Sequence, residues 1–482
     1  MTAPLEISLL TSRSAFAVGE GIVLELEQRV LADLEIEDIE LNRDRSRVFV
    51  EPRDSGKEML EFTGGDYVRL HHRSPFIPLG TPFLAPAGSQ WSNPLRLLLY
   101  SHPLRAGPYL VWLSYRYGSE ANETVRTNAV EVEVVPAGLR NVSDRWFGAG
   151  ERRDQLGSVW VTEDGRWYYQ LANKVDPAAL TNSVDLNMGD ANLIASPVLA
   201  HLNDISEMQF DRWMLWAQED RLGWTKLAYA GRTGEPMSAP HGLSPRAKAF
   251  LADPPLQARA GGFRAVVIGA DDSGNAAASL MVLDESGTLE QQPLKLPGTL
   301  PAYGCVAWPA TDDFAHAVLY TANAGDDHVV RTSFENPNIH QKLELQGRLI
   351  ALVTDQWNGS GTLLAAVAHE EVLRILWWDF AGEAAEGTPG PAYDVKLLAA
   401  PPEEFVGLAA LNGTRDLALL LRDKNDWSVL AEGHEYWIAN VPGADGVPRL
   451  VSAPGGLFVV FHLREIGFVF RRVGEAPPPS GI

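Results

Sequence analysis

Leu363-Leu-Ala-Ala-Val-Ala-His-Glu-Glu-Val-Leu-Arg-Ile-Leu-Trp-Trp-Asp379 consists of two apolar runs separated by a polar step at His369-Glu370-Glu371. Each run is short and almost continuously apolar, which reads as an apolar strand, a polar turn and a second apolar strand. The same unit recurs along residues 140–475. Its other copies are Val159-Trp-Val with Trp167-Tyr-Tyr, Met214-Leu-Trp with Trp224-Thr-Lys-Leu, and Val266-Val-Ile with Leu280-Met-Val-Leu. Ala317-Val-Leu-Tyr with Val329-Val-Arg, Leu417-Ala-Leu-Leu with Trp427-Ser-Val-Leu, and Phe458-Val-Val-Phe with Phe468-Val-Phe complete the set. The first-strand anchors lie 41–55 residues apart. That leaves room for two more strands per unit, for example Tyr303–Trp308, Arg348–Val353 and Glu404–Leu408. Four strands at a period of about 40–50 residues mark a propeller blade. The expectation for 140–475 is therefore a β-propeller of seven blades, with six or eight as alternatives. A second sandwich or an elongated all-β array is the competing reading.

Residues 1–136 show no helical period. Short strand-like runs (Leu5–Leu10, Ile22–Leu26, Leu34–Leu41, Val48–Val50, Tyr67–Leu70, Pro94–Tyr100, Tyr109–Tyr115 and Asn128–Val135) alternate with turns, and Phe16–Gly21 reads as one of those turns. A one-residue slip in the alternation at Asp38 reads as a bulge. This density of strands predicts a sandwich. Pro136-Ala-Gly138 is the expected boundary. The closing Gly474-Glu-Ala-Pro-Pro-Pro-Ser-Gly-Ile482 makes 476–482 a disordered Pro-rich tail. The segment Trp146-Phe147, just after the boundary, is a candidate to lend a strand to the blade containing Phe458–Phe470.

Two segments carry a resemblance. Leu104-Arg-Ala-Gly-Pro-Tyr109-Leu-Val111, followed by Thr127-Asn-Ala-Val-Glu-Val-Glu-Val134, resembles the last two strands of immunoglobulin-like sandwiches. The resemblance implies that the Tyr109 hydroxyl bonds back to nearby backbone as a tyrosine corner, and that Val130, Val132 and Val134 face the core. Leu373-Arg-Ile-Leu-Trp-Trp-Asp379 is similar to the strand end of WD40 repeats, where Trp-Asp closes a strand. The immunoglobulin-like resemblance implies a fold and no activity, because such domains usually bind, space or cap.

The chain of 482 residues carries 40 basic and 62 acidic side chains, a formal net charge of −22. Nucleic acid and anionic membrane surfaces reward Lys and Arg, so neither is an expected partner. Cys305, the one cysteine, rules out an internal disulfide and sits in a strand-like run as a buried structural thiol. The first residues lack a signal-peptide pattern and no window approaches the length of a membrane-spanning helix, so the default compartment is the cytoplasm.

Motifs for nucleophilic, metal or phosphate chemistry are missing from the sequence, and no cofactor or metal is expected. His71-His72 reads as a solvated strand end, because adjacent strand residues face opposite ways. Asp271-Asp272-Ser-Gly-Asn275 and Asn323-Ala-Gly-Asp326-Asp327 have the composition of calcium loops but not the spacing, and read as tight turns. Most tryptophans of the second region, such as Trp160, Trp167, Trp216 and Trp224, are expected to pack between blades. Trp357 lies instead in a polar, Gly-rich stretch and is a candidate partner anchor.

Acidic residues recur in the turns of the hairpins: Glu163 and Asp164; Glu219 and Asp220; Asp271 and Asp272; Asp326 and Asp327; Glu370 and Glu371; Asp423 and Asp426; and Glu465. Equivalent hairpins of a propeller place their turns on one face, which predicts an acidic ring. Such a ring attracts a cationic partner in a salt-dependent way. The expected function is a non-catalytic protein-interaction scaffold or assembly subunit, with the propeller as platform and a basic protein as partner. The alternatives are a propeller hydrolase or lyase acting on a sugar or lactone, and a glycan-binding module.

Overall fold

The computed structural model describes residues 4–36, 46–53, 59–63, 67–69, 83–97, 104–117, 123–147, 155–173, 184–189, 193, 197–201, 212–218, 220–228, 231–252, 263–283, 288–307, 317–355, 362–370, 372–379, 393–396, 405–411, 416–423, 426–431, 433–439, 441–453 and 456–474. All regular structure among them is β. By packing, the chain divides into two units. The first is 1–138 with 177–185 and 462–469, and the second is the remainder.

The first unit holds two facing sheets. One has the order Leu5–Leu10, Val23–Val30, Gln90–Leu97, Tyr67–Arg69. The other runs Ala15–Ala17, Val130–Val135, Gly107–Tyr117, Ser46–Pro52, Leu60–Thr63, and Glu123–Arg126 also pairs with Gly107–Tyr117. The first stretch of chain thus splits between the sheets, and Ala15–Ala17 pairs parallel to the last strand. Four strands in this order against a sheet built on the last hairpin are the arrangement of an immunoglobulin-like sandwich. Period-two alternation builds the core: Leu5, Ile7 and Leu9 point inward from one sheet, and Tyr109, Val111, Leu113 and Tyr115 from the other.

The Tyr109 hydroxyl donates to Arg105 O at 2.8 Å, the bond that the sequence resemblance implied. Val132 and Val134 are buried as expected, whereas Val130 is only partly so. One expectation is corrected. Phe16–Gly21 is not simply a turn, because Phe16 sits in the short strand Ala15–Ala17, held there by its parallel partner Val134. The slip at Asp38, the pair His71-His72 and the tail 476–482 lie outside the described residues.

From Leu139 onward the described residues form seven consecutive antiparallel sheets, in each of which spatial order equals chain order. Six have four strands, and the last, Arg449–Ala453, Gly456–Leu463 and Gly467–Arg472, has three among the described residues. The first strand of each sheet touches the first strand of the next. Sheets strung in this way around a line of first strands are the blades of a β-propeller. Every hairpin read from the sequence is the second and third strand of one sheet. Phe263–Ala270 and Ala276–Leu283 show why: every residue of both strands is buried. Ala265 and Val267 face Trp213 and Trp224 of the preceding sheet, while Val266 and Ile268 face Val306 and Leu319 of the following one.

Trp160, Trp167, Trp216 and Trp224 are buried, the last three in clusters that join neighbouring sheets and Trp160 stacked on Tyr168 of its own sheet. Trp167 meets Trp216 edge-on at 5.6 Å, and Trp224 meets Phe263 in the same way at 5.8 Å. Asp379 closes its strand, paired with Thr362. Trp146-Phe147 does not join the last sheet. It ends Leu139–Phe147, the edge strand of the first sheet, which pairs along its length with Gln155–Thr162, whereas the three described strands of the last sheet all come from residues 449–472.

Candidate functional site

Parity places the acidic turns. Four antiparallel strands are an even number, so the chain enters and leaves each sheet at the same end, and the second-to-third turn lies at that end too. The short connections keep this geometry tight: only residues 241–243 separate Gly231–Pro240 from Ser244–Ala252, and only 345–347 separate His340–Glu344 from Arg348–Asp355. Hydrogen bonds then fasten turn to connection. Leu345 N–H donates to Asp327 O at 2.9 Å, and Leu349 N–H donates to Asp326 O at 2.8 Å. The turns of the first six sheets therefore share one end of the second unit.

Glu163, Asp164, Asp220, Asp272, Asp327, Glu370 and Asp426 are exposed there, and Asp271 and Asp326 are partly so. Asp423 stands opposite Asp426 across the hairpin. Glu219, Glu371 and Trp357 lie outside the described residues. Glu465 is exposed but belongs to the first unit, where the carbonyls of Arg464 and Glu465 accept N–H bonds from Ala137 and Ala106.

Three of these acids also build their own turns. Asp271 Oδ1 accepts from the backbone N–H of Ser273 and of Asn275, each at 2.9 Å. Asp326 Oδ2 accepts from Asn323 N–H at 2.7 Å. Asp164 accepts from the Thr162 hydroxyl and pairs with Arg166 at 3.1 Å. These are the local carboxylate-to-backbone bonds that make Asp a turn residue. The Asn275 backbone N–H, followed by the Asn275 amide, holds the Asp271 pKa below the usual carboxylate range. The His328 ring does the same for Asp327. Both acids therefore stay ionised well into the acidic range.

A buried histidine fastens the second turn. His241 N–H donates to Asp220 O at 3.3 Å, and its ring Nε2 lies 3.2 Å from Gln218 O. Leu243 N–H donates to Nδ1 at 3.2 Å, so Nδ1 must be unprotonated and Nε2–H is the donor to Gln218 O. Burial lowers the His241 pKa, against smaller opposing effects from Gln218 O and Asp220. The unfolded chain thus takes up this proton first, and the stability contributed by neutral His241 is lost as pH falls from the ordinary value of 6.5 through the folded value. The imidazole C–H resonances of His241 should titrate with a midpoint below 6.5, and His241→Gln should reduce the loss of stability between pH 7 and pH 5. A midpoint above 6.5 would show that Gln218 O and Asp220 outweigh burial.

Between the first and second sheets, at the same end, lies a cavity of about 150 Å³ lined by Trp167, Met188, Trp216, Gln218, Met237 and Ser238 among others. Trp167 follows directly on the turn carrying Glu163 and Asp164, and Gln218 immediately precedes Glu219 and Asp220. Trp216 lies against Gly223, its cross-strand partner, where a Cβ would collide with indole atoms Cε2, Nε1 and Cζ2. No single run of sequence displays this cavity.

No family model and no curated protein matches the chain. Among solved structures it is similar to BBS1N in complex with ARL6DN, at 10% identity and a TM-score of 0.40 over 71% of this chain and 98% of that one. It is also similar to the BP39L lectin of Burkholderia pseudomallei, at 13% identity and a TM-score of 0.39 over 70% and 96%. A third similarity is to the six-bladed β-propeller lectin of Aleuria aurantia, at 12% identity and a TM-score of 0.36 over 72% and 100%. No helix among the described residues is long and apolar enough to cross a membrane.

Proposed function

We propose that this protein is a non-catalytic interaction scaffold, or a subunit of a larger assembly, whose propeller unit binds a basic protein segment through its acidic end. The immunoglobulin-like sandwich acts as spacer or dock. One observation carries the reading: the acidic turns of six consecutive sheets fall at one end of one unit, with exposed carboxylates in each described pair. Like charges gathered over one surface focus their field and speed the arrival of a cationic partner. Complementary potential also sets which partners are rejected, since an acidic segment meets repulsion there.

The test compares two variants of equal net charge. One carries Glu163→Gln, Asp220→Asn, Asp272→Asn, Asp327→Asn, Glu370→Gln and Asp426→Asn, sparing the turn-building Asp164, Asp271 and Asp326. The other neutralises six exposed acids of the sandwich, Glu6, Glu25, Glu35, Glu51, Glu123 and Glu133. Affinity for a lysine-rich peptide should fall by about tenfold or more in the first variant and by less than about threefold in the second. Equal losses would reduce the acidic end to a contribution to overall charge and remove the proposed function.

A further inference from the structure

We infer that the cavity between the first two sheets receives a lysine or arginine side chain of the basic partner; the inference rests on the proposed function and gives its surface a point of register. The cavity opens at the end that carries the acidic turns, and two of those turns border it in sequence, through Trp167 on one side and Gln218 on the other. Its lining has two kinds of surface. Met188 and Met237 offer apolar contact, with the nearly buried indoles of Trp167 and Trp216 behind them, while Gln218 and Ser238 offer hydrogen-bonding groups. A long aliphatic stem with a cationic tip matches both, because Lys and Arg bury the stem while keeping the head in polar surroundings. About 150 Å³ holds one such side chain and not a folded element.

The other ligand classes fit less well. An anion would sit between carboxylate-bearing turns. A wholly apolar side chain would make no use of Gln218 and Ser238 and would gain nothing from the acidic surroundings. A sugar ring needs an open aromatic face to stack on, and Trp167 and Trp216 are only 1% and 5% exposed. The two bordering turns also carry Arg166 and Arg221, but the acids outnumber them, and Asp164 holds Arg166 at 3.1 Å. The surroundings therefore remain net acidic.

The experiment separates stem from charge. The probes are a lysine-rich peptide and the same peptide with each lysine replaced by diaminobutyric acid, which keeps the charge and shortens the stem by two methylenes. The wild type should bind the lysine peptide about tenfold more tightly, as burial of two methylenes supports. Ser238→Phe, at an exposed position on the cavity rim, should fill the space and equalise the two peptides while leaving both bound in a salt-dependent way. Should that variant fail to fold, Met237→Lys, at a residue 49% exposed, installs a resident cation and should equalise them as well. Equal affinities in the wild type, or a preference that survives both substitutions, would overturn the cavity assignment while leaving the acidic surface standing. Failure of both peptides to bind the wild type would remove the surface along with it.

Discussion

Gly223→Ala is expected to destabilise the protein by about 3 kcal/mol, at the upper end of what overpacking a core usually costs. The position looks permissive, a buried glycine inside the strand Arg221–Ala228, where alanine would ordinarily add stability through strand propensity. Register decides otherwise. Gly223 faces Trp216 across the hairpin, and the indole occupies the volume that a Cβ would need. Trp216 cannot easily move aside, because it packs edge-on against Trp167 and is almost fully buried. Urea unfolding checks the size of the effect, and loss of lysine-peptide preference at concentrations where the variant is still folded would report the displaced indole. A variant as stable as wild type would mean that Trp216 has another rotamer open to it.

Arg13→Ala should cost about 3 kcal/mol, while Glu20→Gln should cost far less. Glu20 is buried to 2% exposure, accepts Ala17 N–H at 2.9 Å and pairs with Arg13, which also reaches Asp185 at 3.3 Å. Removing the arginine takes away the cation beside a buried carboxylate, whereas a glutamine still accepts from Ala17 and leaves a partly exposed arginine to water. The arginine is 34% exposed, which keeps the figure at the low end for a buried pair. Burial, only partly opposed by Arg13, holds the Glu20 pKa above its ordinary 4.5. The folded state therefore takes up this proton more readily than the unfolded chain. The associated stability is fully present below 4.5 and is lost as pH rises through the folded value. The deficit of Arg13→Ala should accordingly narrow as pH falls towards 4.5, whereas that of Glu20→Gln, which removes the titrating group, should widen as the wild type regains this stability. Denaturant titrations of both variants at neutral and acidic pH measure the difference. Equal losses in the two variants would contradict the asymmetry.

The middle strands of the blades were legible because both of their faces are buried, which turns a strand into an apolar run such as residues 265–270. The outer strands were not. Gly231–Pro240 carries Thr233, Glu235 and Ser238, a composition no different from a loop, and forms a strand because Arg221–Ala228 supplies its partners. Ala15–Ala17 was hidden among glycines for the same reason, since a parallel partner more than a hundred residues away holds it. Tyr109 could be read because its acceptor, Arg105 O, lies only four residues upstream. The acidic turns were visible as turns. Which acid of a pair builds the turn was not, because Asp271 and Asp272 differ only in which one meets the N–H groups of Ser273 and Asn275. The cavity was least legible of all. It depends on a glycine standing opposite a tryptophan, a matter of register, and on side chains drawn from two sheets.

The acidic end as a landing surface for a basic partner is tested most directly by the association rate of a lysine-rich peptide, followed by stopped-flow as ionic strength rises from about 20 to about 300 mM, a range over which the screening length falls from roughly 20 Å to below 10 Å. The rate constant should fall by about tenfold or more in the wild type, with dissociation little changed, and the slope should flatten when the turn acids are neutralised. An association rate that does not respond to salt, or that responds equally with the turn acids removed, would contradict it.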